Sequence, residues 1–403
     1  MKKPLIQIKN LRKQFGGKAV LNGINLSIRE GEITTIIGKS GVGKSVLIKH
    51  IVGLLEHDSG QILFKGKPFK KMKEKDKKTL KSKLSFMFQG TALFDSMTVY
   101  ENVALPLNES GGFLKKEIDQ RVRDLLEQLD LYEIDNKYPS QLSGGMRKRV
   151  ALARALITEP EVILFDEPTT GLDPIRKSAV HRMISDYQKK HKFTGILVSH
   201  EIPEIFYISQ HIAMLDEGKI IFEGTPKEIY KSSNPVVVEF VQRLGSEAER
   251  ITGVSSRYDV SERLKRERRH IENKRAIFSF IVLTIVNMEE TIKKVGYEES
   301  QVALKNFIFQ INRCLRDTDT CSRYDLDKIL IVLPGTDSEI GRIAYDNLAR
   351  RMKKERILDN NNSPELSFAV KAAFAEAEEG NIIDGIETNN HSEVVESFDI
   401  YIQ

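Results

Sequence analysis

Residues Gly38 to Ser45 read GKSGVGKS, a glycine-rich octapeptide of the form G-x-x-x-x-G-K-[ST]. It constrains the fold because both of its flanks have the required character. Residues 32–37 (EITTII) are short, apolar and β-branched, as a buried strand should be. Residues 45–52 (SVLIKHIV) carry apolar spacing suited to a helix. A strand that turns through glycines into a helix brings backbone N–H groups and the positive end of the helix dipole to one point. Gly38, Gly41 and Gly43 let the backbone aim those N–H groups inward around phosphate oxygens, with Lys39, Ser40 and Val42 completing the loop. The motif assigns Lys44 to the β- and γ-phosphates and Ser45 to Mg²⁺.

Two further elements follow in order. Residues 162–167 (VILFDE) are four apolar residues ending in two carboxylates. This reads as a buried strand delivering acids to its C-terminal edge, where open α/β sheets bind ligands. Asp166 suits water-mediated Mg²⁺ coordination, and Glu167 suits polarising an attacking water. Before that strand, residues 142–146 (LSGGM) open a helical segment, so Ser143, Gly144 and Gly145 form a second anion-binding turn. One nucleotide needs one such turn, and the surplus makes sense if each chain serves the nucleotide on another subunit.

Bulk numbers frame this reading. A chain of 403 residues is expected to hold two or three domains. The net charge of +5 is mild and does not by itself call for nucleic acid. Two cysteines, Cys314 and Cys321, make no disulfide framework and fit no metal motif. No signal peptide is visible, and the longest apolar run, Ala276 to Val286, is too short to cross a bilayer. A membrane process would then need its membrane part on another chain.

The motif order resembles the nucleotide-binding domain of ABC ATPases over residues 4–244, with LSGGM departing from the common final Gln. The resemblance implies an α/β core with a helical subdomain, ATP and Mg²⁺ as cofactors, and a head-to-tail homodimer. It places Phe15 on adenine, Gln89 at the Q-loop that touches Mg²⁺ and the membrane partner, Asp173 in the D-loop, and His200 at the switch position facing the γ-phosphate. Ser143 to Gly145 would contact that phosphate in trans. Residues 88–107 (FQGTALFDSMTVYENVALPL) are similar to the Mla/Mce-type lipid transport ATPases. That implies a phospholipid or other hydrophobic cargo, a separate membrane permease and a substrate-binding Mce-type protein. It also implies peripheral attachment at the cytoplasmic face of the inner membrane. The other class of reading is an ABC ATPase of signalling, translation or DNA repair. Translation-type members carry two nucleotide domains, and repair-type members split theirs with a long coiled coil. Here one domain occurs, with no heptad run between the two glycine motifs.

Residues 65–83 carry ten lysines against Glu74 and Asp76. They read as a solvated face or a surface attracted to anionic lipid, and with Phe69 the one interleaved aromatic, nucleic acid is not an expected partner. Beyond residue 245 the composition changes. Residues 246–275 read as a charged helical linker, and 381–403 as an acidic, partly disordered tail. Between them, residues 276–380 alternate strand, helix, hairpin, helix and strand, an α+β layer. This stretch resembles a GGDEF (diguanylate cyclase) domain. Where that family reads RYGGDEF, residues 323–329 read RYDLDKI, and Thr284 stands near the expected metal-binding Asp. Without two acids the cation is not held, so no cyclase activity is expected. Arg316 and Asp319 match the RxxD site, which in this family binds cyclic di-GMP. The domain is then expected to regulate, dimerise or dock.

Overall fold

The computed structural model describes residues 4–200, 202, 204–241, 243, 278–316, 318–323, 326–354, 366–377 and 393–402. The chain forms two compact units, Met1–Val237 and Val238–Gln403. The linker read over 246–275 lies outside the described residues.

In the first unit, β1 (Pro4–Phe15), β2 (Lys18–Arg29), β4 (Ser59–Phe64) and β5 (Lys67–Pro68) form an antiparallel sheet in the order β2-β1-β4-β5. The second sheet has the order β10-β9-β3-β8-β7-β6. Its strands are β3 (Ile33–Ile37), β6 (Leu84–Met87), β7 (Val162–Asp166), β8 (Thr194–Val198), β9 (His211–Asp216) and β10 (Lys219–Gly224). The pairs β3–β8, β3–β9, β7–β8 and β6–β7 are parallel. Every residue of β3, β7 and β8 is buried, which explains why these segments read as unbroken apolar runs rather than alternating ones. Helix α1 (Lys44–Ile51) contributes Leu47, Ile48 and Ile51 to a core shared with residues of both sheets, among them Ile6, Leu26, Leu164 and Val198.

Helices α3 (Val99–Ser110), α4 (Lys115–Gln128) and α5 (Gly144–Leu156) form the inserted helical portion, and α2 (Glu74–Lys81) precedes β6. Helix α3 opens with a capping box between Thr98 and Glu101. Asn102, fully buried, then ties down the loop before it. Its Oδ1 accepts from Phe94 N at 2.8 Å, and its Nδ2 donates to the carbonyls of Phe94, Met97 and Thr98 at 3.0–3.1 Å. Helix α6 (Pro174–His191) follows β7, with Asp173 as its N-cap and Pro174 in its first turn.

The second unit is a five-stranded antiparallel sheet in the order β12-β13-β11-β14-β15. Its strands are β11 (Phe278–Ile285), β12 (Thr320–Arg323), β13 (Lys328–Pro334), β14 (Leu366–Ala377) and β15 (Glu393–Ile402). Helices α7 (Met288–Val295), α8 (Tyr297–Asn312) and α9 (Ser338–Lys354) complete the α+β layer, with Leu304, Phe307, Ile308 and Ile311 of α8 buried. The acidic tail from 381, expected to be partly disordered, instead contains β15, which pairs with β14 from Leu366↔Ile402 to Phe374↔Glu393. Sheet hydrogen bonding outweighs an acidic composition there. Residues 381–392 lie outside the described residues.

Candidate functional site

The glycine loop lies between β3 and α1 as its flanks require. Gly38 has φ 150°, and a Cβ there would sit 2.2 Å from the Leu215 carbonyl oxygen. Gly43, in the left-handed region at φ 106°, is the N-cap of α1. Only glycine fits both places without strain. Lys44 is buried, and its ammonium donates to the carbonyls of Gly38 (2.8 Å) and Lys39 (2.9 Å). Burial pulls its pKa below the ordinary lysine value, against the pull of Glu167 and Asp166.

The parallel sheet brings a group of polar side chains to its C-terminal edge. Ser45 Oγ donates to Asp166 Oδ1 at 3.0 Å. Burial raises the Asp166 carboxyl above the usual carboxylate range, partly countered by that hydrogen bond and reinforced by neighbouring Glu167. Glu167 turns out of β7 with φ 49°, and its N–H donates to Val198 O of β8 at 3.0 Å. Its carboxylate then gathers three loops. Gln89 Nε2, after β6, donates to Oε2 at 3.1 Å, and Thr170 Oγ1, after β7, donates to the same oxygen at 2.9 Å. His200 Nδ1, after β8, lies 3.1 Å from Oε1. Asp166, Glu167, Gln89 and His200 thus stand together. A hydroxyl, a carboxylate and an amide oxygen are the hard donors that a Mg²⁺ bound mainly by substrate phosphates takes from protein, so the residues fit that cation.

The remaining expected residues stand apart from this cluster among the described hydrogen bonds. Phe15 is half exposed, with Lys13 Nζ 5.3 Å from its ring centroid. Ser143 caps α5, its Oγ accepting from Met146 N at 3.3 Å, and Gly144 and Gly145 form the first turn of that helix. Asp173 accepts from Arg176 N at 3.1 Å and pairs with Arg176 Nε at 3.2 Å. A Cβ added to Gly145 would lie 3.1 Å from Arg176 Cδ, so α5 and the start of α6 are near neighbours.

Three supporting residues were not legible as such. Thr170 is one. Lys148, buried on α5, donates to the Gln89 carbonyl and reaches the Glu167 carbonyl at 3.5 Å, joining the LSGGM helix to both loops. His181, buried on α6, lies 3.3 Å from Thr169 Oγ1 and 3.4 Å from Glu204 Oε1, which also accepts from Ser178 at 2.8 Å. Burial alone would raise the Glu204 pKa, but His181, Ser178 and Lys177 together hold it below the usual value. This network links the loop after Glu167 to the turn after His200. The acids and bases on α6 were visible, but their partners lie across the fold.

In the second unit, Asp319 Oδ2 accepts from Arg316 N at 2.9 Å, a local turn. The Arg316 guanidinium is exposed, without a hydrogen bond or ion pair among the described residues. Strands β12 and β13 pair from Thr320↔Val332 to Arg323↔Ile329, and Tyr324 and Asp325 lie outside the described residues. Leu326 is buried and accepts from Arg323 Nη2 through its carbonyl at 2.9 Å. Register pairs Thr284 with Lys328, so a lysine stands across from the position where the cyclase resemblance calls for a metal-binding acid.

The family model for the ABC transporter domain matches residues 21–170, and that for the diguanylate cyclase GGDEF domain matches 247–387. The intermembrane phospholipid transport system ATP-binding protein MlaF of Haemophilus influenzae is 35% identical over 60% of this chain and 92% of its own length. The methionine import ATP-binding protein MetN of Clostridioides difficile is 40% identical over 56% of this chain and 70% of its own. Among solved structures, cbiO1 of Clostridium perfringens, part of an ABC transporter complex, superposes with TM-score 0.53 at 32% identity, covering 60% of this chain and 96% of that one. A dimeric post-hydrolysis ATP-binding cassette bound to ADP and Pi gives 0.51 at 30% identity, covering 55% and 98%. The chain belongs to the ABC transporter ATP-binding protein family, and a GGDEF domain follows its ATPase domain.

Proposed function

We propose that this ATPase subunit works as a head-to-tail homodimer on a separate membrane permease at the cytoplasmic face of the inner membrane, moving phospholipid or another hydrophobic molecule. The observation that carries the catalytic part is the convergence of Gln89, Thr170 and His200 on Glu167. ATP lies along residues 38–45, with Phe15 stacked on adenine and Lys44 exchanging its carbonyl partners for phosphate oxygens. When bound, Mg²⁺ draws charge from the β- and γ-phosphates, with Ser45, Gln89 and Asp166 as the residues that hold it. Glu167 polarises the attacking water, and His200 holds the γ-phosphate side of the site. Ser143, Gly144 and Gly145 of the second copy close over that phosphate, with Asp173 between the copies.

The phospholipid reading rests on the MlaF relative and on the Phe88–Leu107 segment, where Phe88 and Phe94 are exposed as a docking groove for a permease helix requires. Identifying the lipids and subunits that co-purify from membranes tests it, and a methionine or sulfate permease in their place overturns it. An Mce-type substrate-binding protein is the expected further partner. The GGDEF domain is a regulatory or dimerisation module without cyclase activity, because Lys328 and Thr284 stand where the cation needs acids. Its remaining ligand is cyclic di-GMP at Arg316 and Asp319. Calorimetry showing no heat at high micromolar ligand removes that part.

Glu167→Gln tests the site directly. Turnover is expected to fall by roughly 10²–10⁴-fold while ATP-bound dimers accumulate, since water loses its base but phosphate binding is untouched. Normal turnover would refute the role given to Glu167.

A further inference from the structure

The segment of ten lysines plays no part in the nucleotide site. It runs from β5 through a 3₁₀ turn (Phe69–Lys71) into α2. Leu80 is the buried residue of α2, and Lys75 and Lys78 project from the other side of the helix. Three of the lysines have acid partners. Lys65 and Lys83 pair with Glu161, and Lys77 with Glu74 at 2.7 Å. The other seven, from Lys67 to Lys81, are exposed and form no ion pair within 4 Å among the described residues, though Lys81 acts on the Glu74 carboxylate at longer range. Ten lysines against two acids leave an excess of eight positive charges in residues 65–83. The entire chain carries +5, so everything outside this segment is net acidic. The charge is therefore not the local share of a basic protein but a concentration in one exposed segment.

The chemistry of the patch narrows its partner. The segment contains lysine and no arginine, so it offers compact, flexible point charges without the planar fork that reads a base edge. Its one aromatic, Phe69, is half-buried, with its ring packed against Gly53. Base stacking is not available to it. A diffuse sheet of phosphates suits such a surface, and a transporter's ATPase works beside one. We propose that the Lys67–Lys81 surface docks on anionic lipid headgroups of the bilayer that holds the permease. The inference rests on membership of the transporter family and not on the cargo.

The test uses the purified full-length protein and vesicles of phosphatidylglycerol with phosphatidylcholine, against phosphatidylcholine alone. Sedimentation with the anionic vesicles is expected, weakening as salt rises. Replacing Lys70, Lys71, Lys73 and Lys75 by Gln should lower partitioning by about fivefold for each lysine removed, at low salt. Replacing the same four by Arg should retain it, and basal ATPase activity in solution should match wild type in both variants. Equal binding to neutral vesicles overturns the proposal, as does wild-type binding by the Gln variant. So does retention on RNA without retention on anionic vesicles. No permease or cargo enters this assay, so its failure leaves the transport reading standing, and loss of that reading leaves the assay intact.

Discussion

Asp166, the carboxylate proposed to hold Mg²⁺, acts against the stability of its own fold. Burial raises its carboxyl, so the folded chain holds that proton to higher pH than the unfolded chain. Stability therefore falls as pH rises from the unfolded carboxylate value of about 4 through the folded one. Asp166→Asn is expected to raise the thermal midpoint of the nucleotide-free protein at neutral pH while removing ATP hydrolysis. The gain should shrink as pH drops towards 4 and below. A lower midpoint at neutral pH, measured by calorimetry, contradicts this account. Lys44 follows the same logic with the opposite sign of charge, being buried and lowered but given two carbonyl partners.

At the scale of elements, the loop before α3 depends on one side chain. Asn102→Ala strips partners from the Phe94 amide and from three carbonyls in a buried site. A loss of about 3 kcal/mol is expected, read from the urea midpoint. A loss below about 1 kcal/mol would mean that water replaces the amide. Much at this scale was legible in advance. Strand β3, helix α1, strand β7 and the start of α5 lie where glycines, apolar runs and caps put them, because each is specified by contiguous residues. Strand β15 was not. Its acidic residues suggested disorder, yet Phe398, Ile400 and Ile402 alternate with polar neighbours as a strand does. Composition masked a period-2 signal. The contacts of Lys148 with Gln89 and of His181 with Glu204 were illegible for another reason. They join separate elements, and no local pattern encodes such a meeting.

For the whole molecule, two units with separate cores imply two unfolding events. Calorimetry of the intact chain is expected to show two transitions. ATP with Mg²⁺ should raise the one belonging to residues 1–237, by about 2.7 kcal/mol at a hundred times the dissociation constant. A single transition that moves as one with nucleotide would show the units to be thermodynamically fused. The hydrogen bonding of β15 carries a practical consequence. It caps the long flank of β14, so trimming the last ten residues by protease would lay bare an edge ready to pair with neighbouring molecules. Samples clipped there should turn cloudy on storage before they lose the ability to split ATP.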